Sequence, residues 1–279
     1  MTTKRHGGHT GNRITILNDV FGRSSRLKKD WGFSALIEYG GQRILFDTGN
    51  NAEIFAHNVK TLKVDLKRLD FAVVSHRHVD HISGLNYLLG VSPKVKIYVP
   101  RDDIFGGRVP ADFYRHAESL PPELQYFGGR PHKTLLRGSP WPRANFISVA
   151  DLTEVAPGVH VIPTVSHSTG TLELREIGLS IRTPKGKVVV DGCGHAGVEA
   201  ILEAAASIDS RTHMLLGGLH LLKSADPEIE RIATALNERW HVDRVAPGHC
   251  TGEPAFAIFQ KVFGGRYLYA GLGTVIELP

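Results

Sequence analysis

Three histidines and an aspartate lie within six consecutive residues, directly after an apolar run. The segment is His76-Arg77-His78-Val79-Asp80-His81, and it follows residues 71–74, which are predicted to form a buried strand. Imidazole and carboxylate are preferred ligands of Zn²⁺ and similar divalent ions. The alternative is a solvated histidine-rich surface loop, but this segment stands between two apolar stretches. The sequence therefore predicts a strand-end loop that supplies two neighbouring metal positions.

The rest of the chain alternates short apolar runs with amphipathic segments. The predicted strands are 13–17, 34–38, 43–46, 71–74, 95–99, 159–162, 179–182, 187–190, 214–216 and 242–245, and the predicted helices are 51–62, 197–206 and 229–240. Each half has strands first and β-α alternation afterwards. This order predicts two sheets packed face to face with helices outside.

Two segments do not follow this alternation. Residues 1–12 are polar and are predicted to be a flexible N-terminus, with a single domain over 13–279. Residues 101–150 are rich in Pro, Gly, Arg and aromatic residues, which predicts an irregular insertion. The insertion is either a surface excursion with its own small apolar cluster or a lid whose aromatic and arginine side chains help to form a substrate pocket.

Composition excludes several classes of protein. Apolar residues make up 42% and charged residues 22%, as in a packed globular chain, so disorder is excluded. Two cysteines exclude a disulfide-rich scaffold. No membrane span and no secretory signal are apparent, so a cytoplasmic protein is expected, with no membrane partner.

The charge balance gives an expectation about the substrate. The net charge of +5 fits a small anionic substrate and does not require nucleic acid. The insertion adds six arginines to this argument: Arg101, Arg108, Arg115, Arg130, Arg137 and Arg143.

Residues 76–81 resemble the signature of the metallo-β-lactamase-fold superfamily, and Phe46-Asp47-Thr48-Gly49 is similar to its first motif. Three later segments occur in the matching order: 191–197 (DGCGHAG), 217–221 (GGLHL) and 247–252 (PGHCTG). They are similar to a subgroup of metal-dependent hydrolases related to the methanopterin-pathway dihydropterin–ribofuranosylaminobenzene phosphate synthase. The resemblance covers nearly the whole chain. It implies an α/β fold, a four-layer αβ/βα sandwich, with the insertion around 101–150.

The first metal position needs three protein ligands and an open site. His76 and His78 supply two, and the third is His195 or His167. His195 follows a predicted strand, lies among glycines, and is favoured by the resemblance. His167 stands where glyoxalase-type hydrolases carry their third ligand, so it is kept as an alternative ligand or a residue on the substrate side.

The resemblance assigns the second metal position to Asp80, His81 and His249. Asp191 and Cys193 compete for a bridging role. Residue 191 is more often hydroxylic in the subgroup, so Asp191 either bridges two ions or hydrogen-bonds a ligand histidine. Cys193 and Cys250 are either ligands or small buried apolar residues.

Other residues are expected to support this centre. Asp47 is expected to hold a ligand histidine in place. His220 is either a core histidine or a group that faces a phosphate or carboxylate in the pocket. Asn18, Asp19, His220 and Cys193 are expected to bind substrate.

The expected activity is hydrolysis of an ester, lactone or phosphodiester-type bond by metal-activated water, with two divalent ions, Zn or else Mn or Fe. Asp80 would orient or deprotonate the nucleophile, and His220 or His167 would stabilise charge or protonate the leaving group. The alternatives are a dihydropterin diphosphate-dependent transferase that releases pyrophosphate, a nuclease, and a non-catalytic metal-binding sensor.

Overall fold

The structure is a computed structural model that describes residues 11–106, 117–130, 138–167 and 173–279. Most of the predicted flexible N-terminus lies outside these residues. So do three arginines of the predicted insertion, Arg108, Arg115 and Arg137. Strands and helices are numbered in chain order.

The first sheet begins with the N-terminal strands and ends with the last strand of the chain. Its seven strands lie in the spatial order β13 (Val275–Glu277), β1 (Arg13–Asn18), β2 (Ser34–Tyr39), β3 (Gln42–Phe46), β4 (Phe71–Val73), β5 (Lys96–Pro100) and β6 (Asn145–Val149). The pairs from β3 to β6 are parallel, and the others are antiparallel.

The second sheet is also mixed. Its six strands lie in the order β12 (Arg244–Gly248), β11 (Thr212–Gly218), β10 (Gly186–Asp191), β9 (Leu174–Thr183), β8 (Val159–Ser166) and β7 (Thr153–Ala156). The strands β10, β11 and β12 are parallel to one another. Their carboxyl ends therefore lie at one edge of the sheet.

The described residues form six α-helices beside the sheets. They are α1 (Ala52–Thr61), α2 (Val79–Ile82), α3 (Leu85–Val91), α4 (Val198–Ala204), α5 (Asp226–Glu238) and α6 (Glu253–Phe263). Helix α1 begins where the Asn51 side chain accepts hydrogen bonds from the backbone N–H groups of Glu53 and Ile54. No helix of the described residues is both long and apolar enough to cross a membrane.

Strands are buried on both faces, which explains their nearly continuous apolar runs. In β10, Val188 and Val190 pack between the two sheets, whereas Val189 packs under the helices of the second sheet. In β3, Phe46 faces the inter-sheet core and Leu45 faces the helices of the first sheet. The layers are therefore helix, sheet, sheet and helix, which confirms the predicted four-layer αβ/βα sandwich.

Several predicted boundaries are corrected. The irregular segment 101–150 ends earlier, because Asn145–Val149 forms the parallel edge strand β6 with Ile97 opposite Phe146. The strand predicted over 242–245 begins at Arg244, because the Val242 N–H donates to the Leu236 carbonyl at the end of α5. Helices α2, α3 and α6 and the short strands β7 and β13 are not among the elements predicted from the sequence.

Candidate metal centre

Loops from both sheets meet at one end of the sandwich. The loop after β4 carries His76 and His78, and helix α2, which follows it, carries Asp80 and His81. The loop after β10 carries His195, and the turn after β12 carries His249. The His76 and His195 rings are 5.0 Å apart between centroids, and the His81 and His249 rings are 5.1 Å apart. Residues that are far apart in sequence thus form one cluster.

The first group consists of His76, His78 and His195, whose potential ligand nitrogens lie within 4.8 Å of one another. The Nε2 atoms of His76 and His195 are buried without a hydrogen-bond partner among the described residues. Burial and the neighbouring imidazoles hold the pKa of His76 well below its usual range and lower the pKa of His195 to about 3. These rings are therefore neutral, which is the form that binds metal.

The second group consists of Asp80, His81 and His249. Asp80 Oδ2 lies 3.3 Å from His249 Nε2 and 3.6 Å from His81 Nε2. Burial alone would raise the pKa of the Asp80 carboxyl, but the His249 and His81 rings hold it below its usual range. Asp80 is thus an ionised ligand.

Asp47 connects the two ligand groups through hydrogen bonds with His81 and Ser75. Its Oδ2 atom lies 2.7 Å from His81 Nδ1 and accepts a 2.7 Å hydrogen bond from Ser75 Oγ. Ser75 Oγ in turn lies 2.9 Å from His76 Nδ1. Both histidines therefore direct their Nδ1–H towards this chain of hydrogen bonds and leave Nε2 for a metal.

The unsatisfied atoms test whether a metal fits. Buried polar atoms normally have hydrogen-bond partners. Here the Nε2 atoms of His76, His81, His195 and His249 have none among the described residues. Imidazole nitrogens and an ionised carboxylate are ligands that divalent cations accept, so the donor set fits one or two such ions.

Cys193 and His220 lie beside these groups, and Cys250 joins them. Potential ligand atoms of Cys193, His220 and Cys250 lie within 4.8 Å of one another. The His220 ring packs on the His195 ring at 4.1 Å between centroids. Burial would raise the pKa of the Cys250 thiol, but hydrogen bonds from Cys193 and His220 lower it.

Asp191 lies close by but in none of the ligand groups that the described residues form. It is 1% exposed, its Oδ2 has no hydrogen-bond partner, and burial raises its pKa to about 8. His167 is exposed and follows β8, as the last described residue before position 173. It also belongs to none of these ligand groups.

Asn18 and Asp19, predicted to bind substrate, are both fully buried. The Asn18 amide donates to the Gly32 carbonyl at 3.0 Å. The Asp19 carboxylate accepts the backbone N–H of His249 at 3.1 Å. The structure thus gives them backbone contacts rather than an open face towards a substrate, because their polar atoms hold the loops around the site.

Sequence reasoning missed Glu176 and Trp31. Glu176 is 1% exposed, and its Oε1 lies 3.8 Å from His76 Nδ1. Burial and the nearby Asp191 raise its pKa well above the usual range. In the sequence, the signal for a special role of Glu176 was an acidic residue next to the apolar residues of β9. Trp31 is 42% exposed and contacts the His249 ring edge-on at 5.1 Å.

A cavity adjoins the site through two arginines. Arg101 and Arg175 line a cavity of about 630 Å³ together with Phe105 and Phe146. The same arginines line a smaller adjoining cavity that also contains Glu176. Glu176, whose Oε1 lies 3.8 Å from His76 Nδ1, is the residue that the smaller cavity shares with the surroundings of the histidine cluster.

Comparisons with known proteins agree with this geometry. A family profile described as Metallo-beta-lactamase superfamily matches residues 32–177, just over half of the 279 residues. A curated protein of Methanocaldococcus jannaschii, 7,8-dihydropterin-6-methyl-4-(beta-D-ribofuranosyl)-aminobenzene-5'-phosphate synthase, is 26% identical over 292 residues, covering 94% of this chain and 95% of its own.

Solved structures show the same architecture. A metal-dependent hydrolase of the beta-lactamase superfamily is 28% identical, with a TM-score of 0.71 over 96% of this chain and 99% of that chain. The short form of human tRNase Z is 13% identical, with a TM-score of 0.58 over 96% and 99% of the two chains. The second likeness concerns the fold alone. Together these matches confirm the resemblance that the motifs indicated.

Proposed function

The chain belongs to the metallo-beta-lactamase superfamily, and on that premise we propose that it is a metal-dependent hydrolase of an ester, lactone or phosphodiester-type bond. The observation that carries the proposal is the pair of adjacent ligand groups, His76/His78/His195 and Asp80/His81/His249. We propose that each group holds one divalent ion, zinc in the first instance and manganese or iron otherwise.

Such ions would lower the pKa of a bound water and polarise the bond under attack. The ionised Asp80 carboxylate would orient the attacking water by accepting its hydrogen bond. His220 is exposed and lies beside His195, so its ring would donate to the charge that develops on the substrate or to the leaving group. His167 remains the alternative for this role.

The proposed substrate is a small molecule with an anionic group. Arg101 and Arg175 line both cavities, and Glu176 lines the smaller one. A guanidinium pair of this kind suits a phosphate or carboxylate, which it binds by charge-assisted hydrogen bonds. The aromatic rings of Phe105 and Phe146 would contact an apolar part of the same substrate.

A second candidate is a transferase. The Methanocaldococcus jannaschii relative, 26% identical over most of both chains, is named a synthase. If this chain shares a transfer reaction with pyrophosphate release, the metals would clamp a diphosphate and an acceptor would replace water. A transferase would need an acceptor molecule for activity, whereas a hydrolase would need only water.

The test uses full-length protein loaded separately with zinc, manganese or iron. Chromogenic phosphodiesters, lactones and esters are assayed with and without chelator, alongside His76→Ala and His249→Ala. The proposal expects a hydrolytic activity that requires metal and falls at least about 100-fold in both variants. Release of pyrophosphate only when an aromatic amine acceptor is present would favour the transferase. Metal-free protein under all loading conditions would overturn both.

A further inference from the structure

The two cysteines of the chain meet at the same end of the second sheet. Cys193 follows β10 and Cys250 follows β12, and their sulfurs are 3.0 Å apart. The strand β11 lies between β10 and β12. The thiols therefore approach each other across the end of an intervening strand.

Two glycines at the end of β11 make this approach possible. A Cβ on Gly218 would lie 2.8 Å from the Cys250 sulfur and 2.4 Å from the Gly192 carbonyl oxygen. A Cβ on Gly217 would lie within 1.9 Å of the Asp191 carbonyl oxygen. Any larger residue would fill the space between the two strand ends. The backbone is thus shaped to bring the cysteines together.

A third donor follows two residues after these glycines. The Nδ1 atom of His220 lies 3.8 Å from the Cys193 sulfur. His220 adopts a left-handed backbone, with φ of 49°, which is uncommon for a residue other than glycine. This conformation turns the imidazole back over the thiols and supports a functional role for the ring.

We propose that Cys193, Cys250 and the Nδ1 atom of His220 form a third metal-binding position, for a thiolate-preferring divalent ion such as Zn²⁺, which leaves the Nε2–H of His220 for the donor role proposed above. Two thiolates and one imidazole are a frequent zinc donor set, and binding would release the two thiol protons to solvent. The inference goes beyond the proposed hydrolase, whose two positions use only histidine and Asp80.

Burial favours a metal over an oxidised pair. Cys193 is 4% exposed and Cys250 is 2% exposed. Reactive cysteines are usually partly exposed, whereas both of these thiols are buried. Two buried thiols that converge with an exposed imidazole are instead a set of soft and borderline donors that zinc accepts.

Cobalt(II) gives a direct test, because thiolate–cobalt charge transfer absorbs in the near ultraviolet and imidazole–cobalt bonds do not. The chain has only two cysteines, so any such absorption comes from this pair. Reduced full-length protein is titrated with Co²⁺, and the band is followed in Cys193→Ser, Cys250→Ser, the double variant and His220→Gln.

We expect saturation at about three cobalt ions per chain when all three sites fill. Each single cysteine variant should lose one bound ion and with it most of the band, and the double variant should lose the band entirely. His220→Gln should keep the band but weaken cobalt affinity at this position by about 10-fold or more. The control is His241→Gln, which changes an exposed histidine with the same φ of 49° in the turn before β12 and should match wild type.

Three results would overturn the inference. The first is a wild-type titration with no charge-transfer band. The second is a band that disappears in His81→Ala but is intact in His220→Gln. The third is an intact mass lower by two hydrogens in protein isolated without reductant. The second would make Cys193 a ligand of the neighbouring position, and the third would make the pair a disulfide. Folding is checked by circular dichroism. Failure of the hydrolase proposal would appear in the substrate assays without any change in this band.

Discussion

At the scale of residues, the site depends on a few buried polar side chains with fixed partners. One carboxylate oxygen of Asp47 accepts hydrogen bonds from His81 Nδ1 and Ser75 Oγ. The other accepts a hydrogen bond of 2.6 Å from the Ser75 backbone N–H. Asp47 and His249 both adopt left-handed backbones, with φ of 55° and 45°. Such conformations cost of order 1–3 kcal/mol and persist where surrounding contacts hold them.

The first prediction concerns Asp47. Asp47→Ala should weaken metal binding by about 10- to 100-fold, because His81 would lose the partner that fixes its ring. It should also lower the free energy of unfolding by about 1–3 kcal/mol, since two donors from Ser75 lose their acceptor. Competition with a chromogenic chelator and urea unfolding measure the two effects. Asp151→Ala, at an exposed turn position, is the control and should change neither.

The second prediction concerns pH. Burial raises the pKa of Asp19 to about 8 in the folded protein, far above the value near 4 expected in the unfolded chain. The folded state therefore holds a proton that the unfolded state has lost between these values. Stability of the metal-free protein should fall as pH rises from about 4 to about 8, by at most about 1.4 kcal/mol per pH unit for this group.

Asp19→Asn removes this contribution and should give a flatter dependence than wild type in urea unfolding at several pH values. Asp151→Asn should follow wild type. Equal slopes for wild type and Asp19→Asn would contradict the assignment of a raised pKa to Asp19.

At the scale of elements, strand ends determine where chemistry is possible. Strand β11 ends in Gly217 and Gly218, and the neighbouring strands β10 and β12 end in the loops that carry His195 and His249. The glycines leave room for these loops to converge above the central strand. Sequence periodicity identified the strands, but the meeting of their ends follows from the parallel order of β10, β11 and β12.

The third prediction concerns Gly217. Gly217→Ala should destabilise the protein by more than about 3 kcal/mol or prevent folding, because φ is 115° and a Cβ would overlap the Asp191 carbonyl oxygen. Gly90→Ala in α3 is the matched control. A Cβ there meets nothing within 4 Å, so it should stabilise the helix by about 0.5–1 kcal/mol. Urea unfolding of both variants measures this, and similar stabilities would contradict the argument.

At the scale of the whole molecule, the candidate centre joins the two sheets. Four of its ligands follow β4 of the first sheet, and two follow β10 and β12 of the second. A bound ion would therefore cross-link the two halves of the sandwich. An ion that binds only the folded state would add stability that rises with the logarithm of its concentration above the dissociation constant.

The fourth prediction follows from this cross-link. Metal at about 1,000 times its dissociation constant should stabilise the wild type by about 4 kcal/mol and raise its melting temperature. Chelator should remove the gain. His76→Ala should melt near the metal-free wild type with a smaller response to metal. An unchanged wild-type melting temperature, with metal shown to be bound, would mean that the ions do not link the two sheets.

The sequence by itself determined the fold and the principal ligand types. Apolar alternation gave most strands, because residues such as Val188, Val189 and Val190 fill both faces of a buried sheet. Local chemistry identified His76, His78, Asp80 and His81, because four ligands on one loop need no tertiary information. The family resemblance added His195 and His249 as candidate ligands.

Only the tertiary structure decided which distant groups share a site. The sequence did not show that Glu176 lies 3.8 Å from His76, or that the Cys250 sulfur lies 3.0 Å from that of Cys193. Asn18 and Asp19 looked like substrate contacts until their burial was known. The physical reason is that periodicity reports which face of an element is buried, whereas contacts between strand ends depend on the order and direction in which the strands assemble.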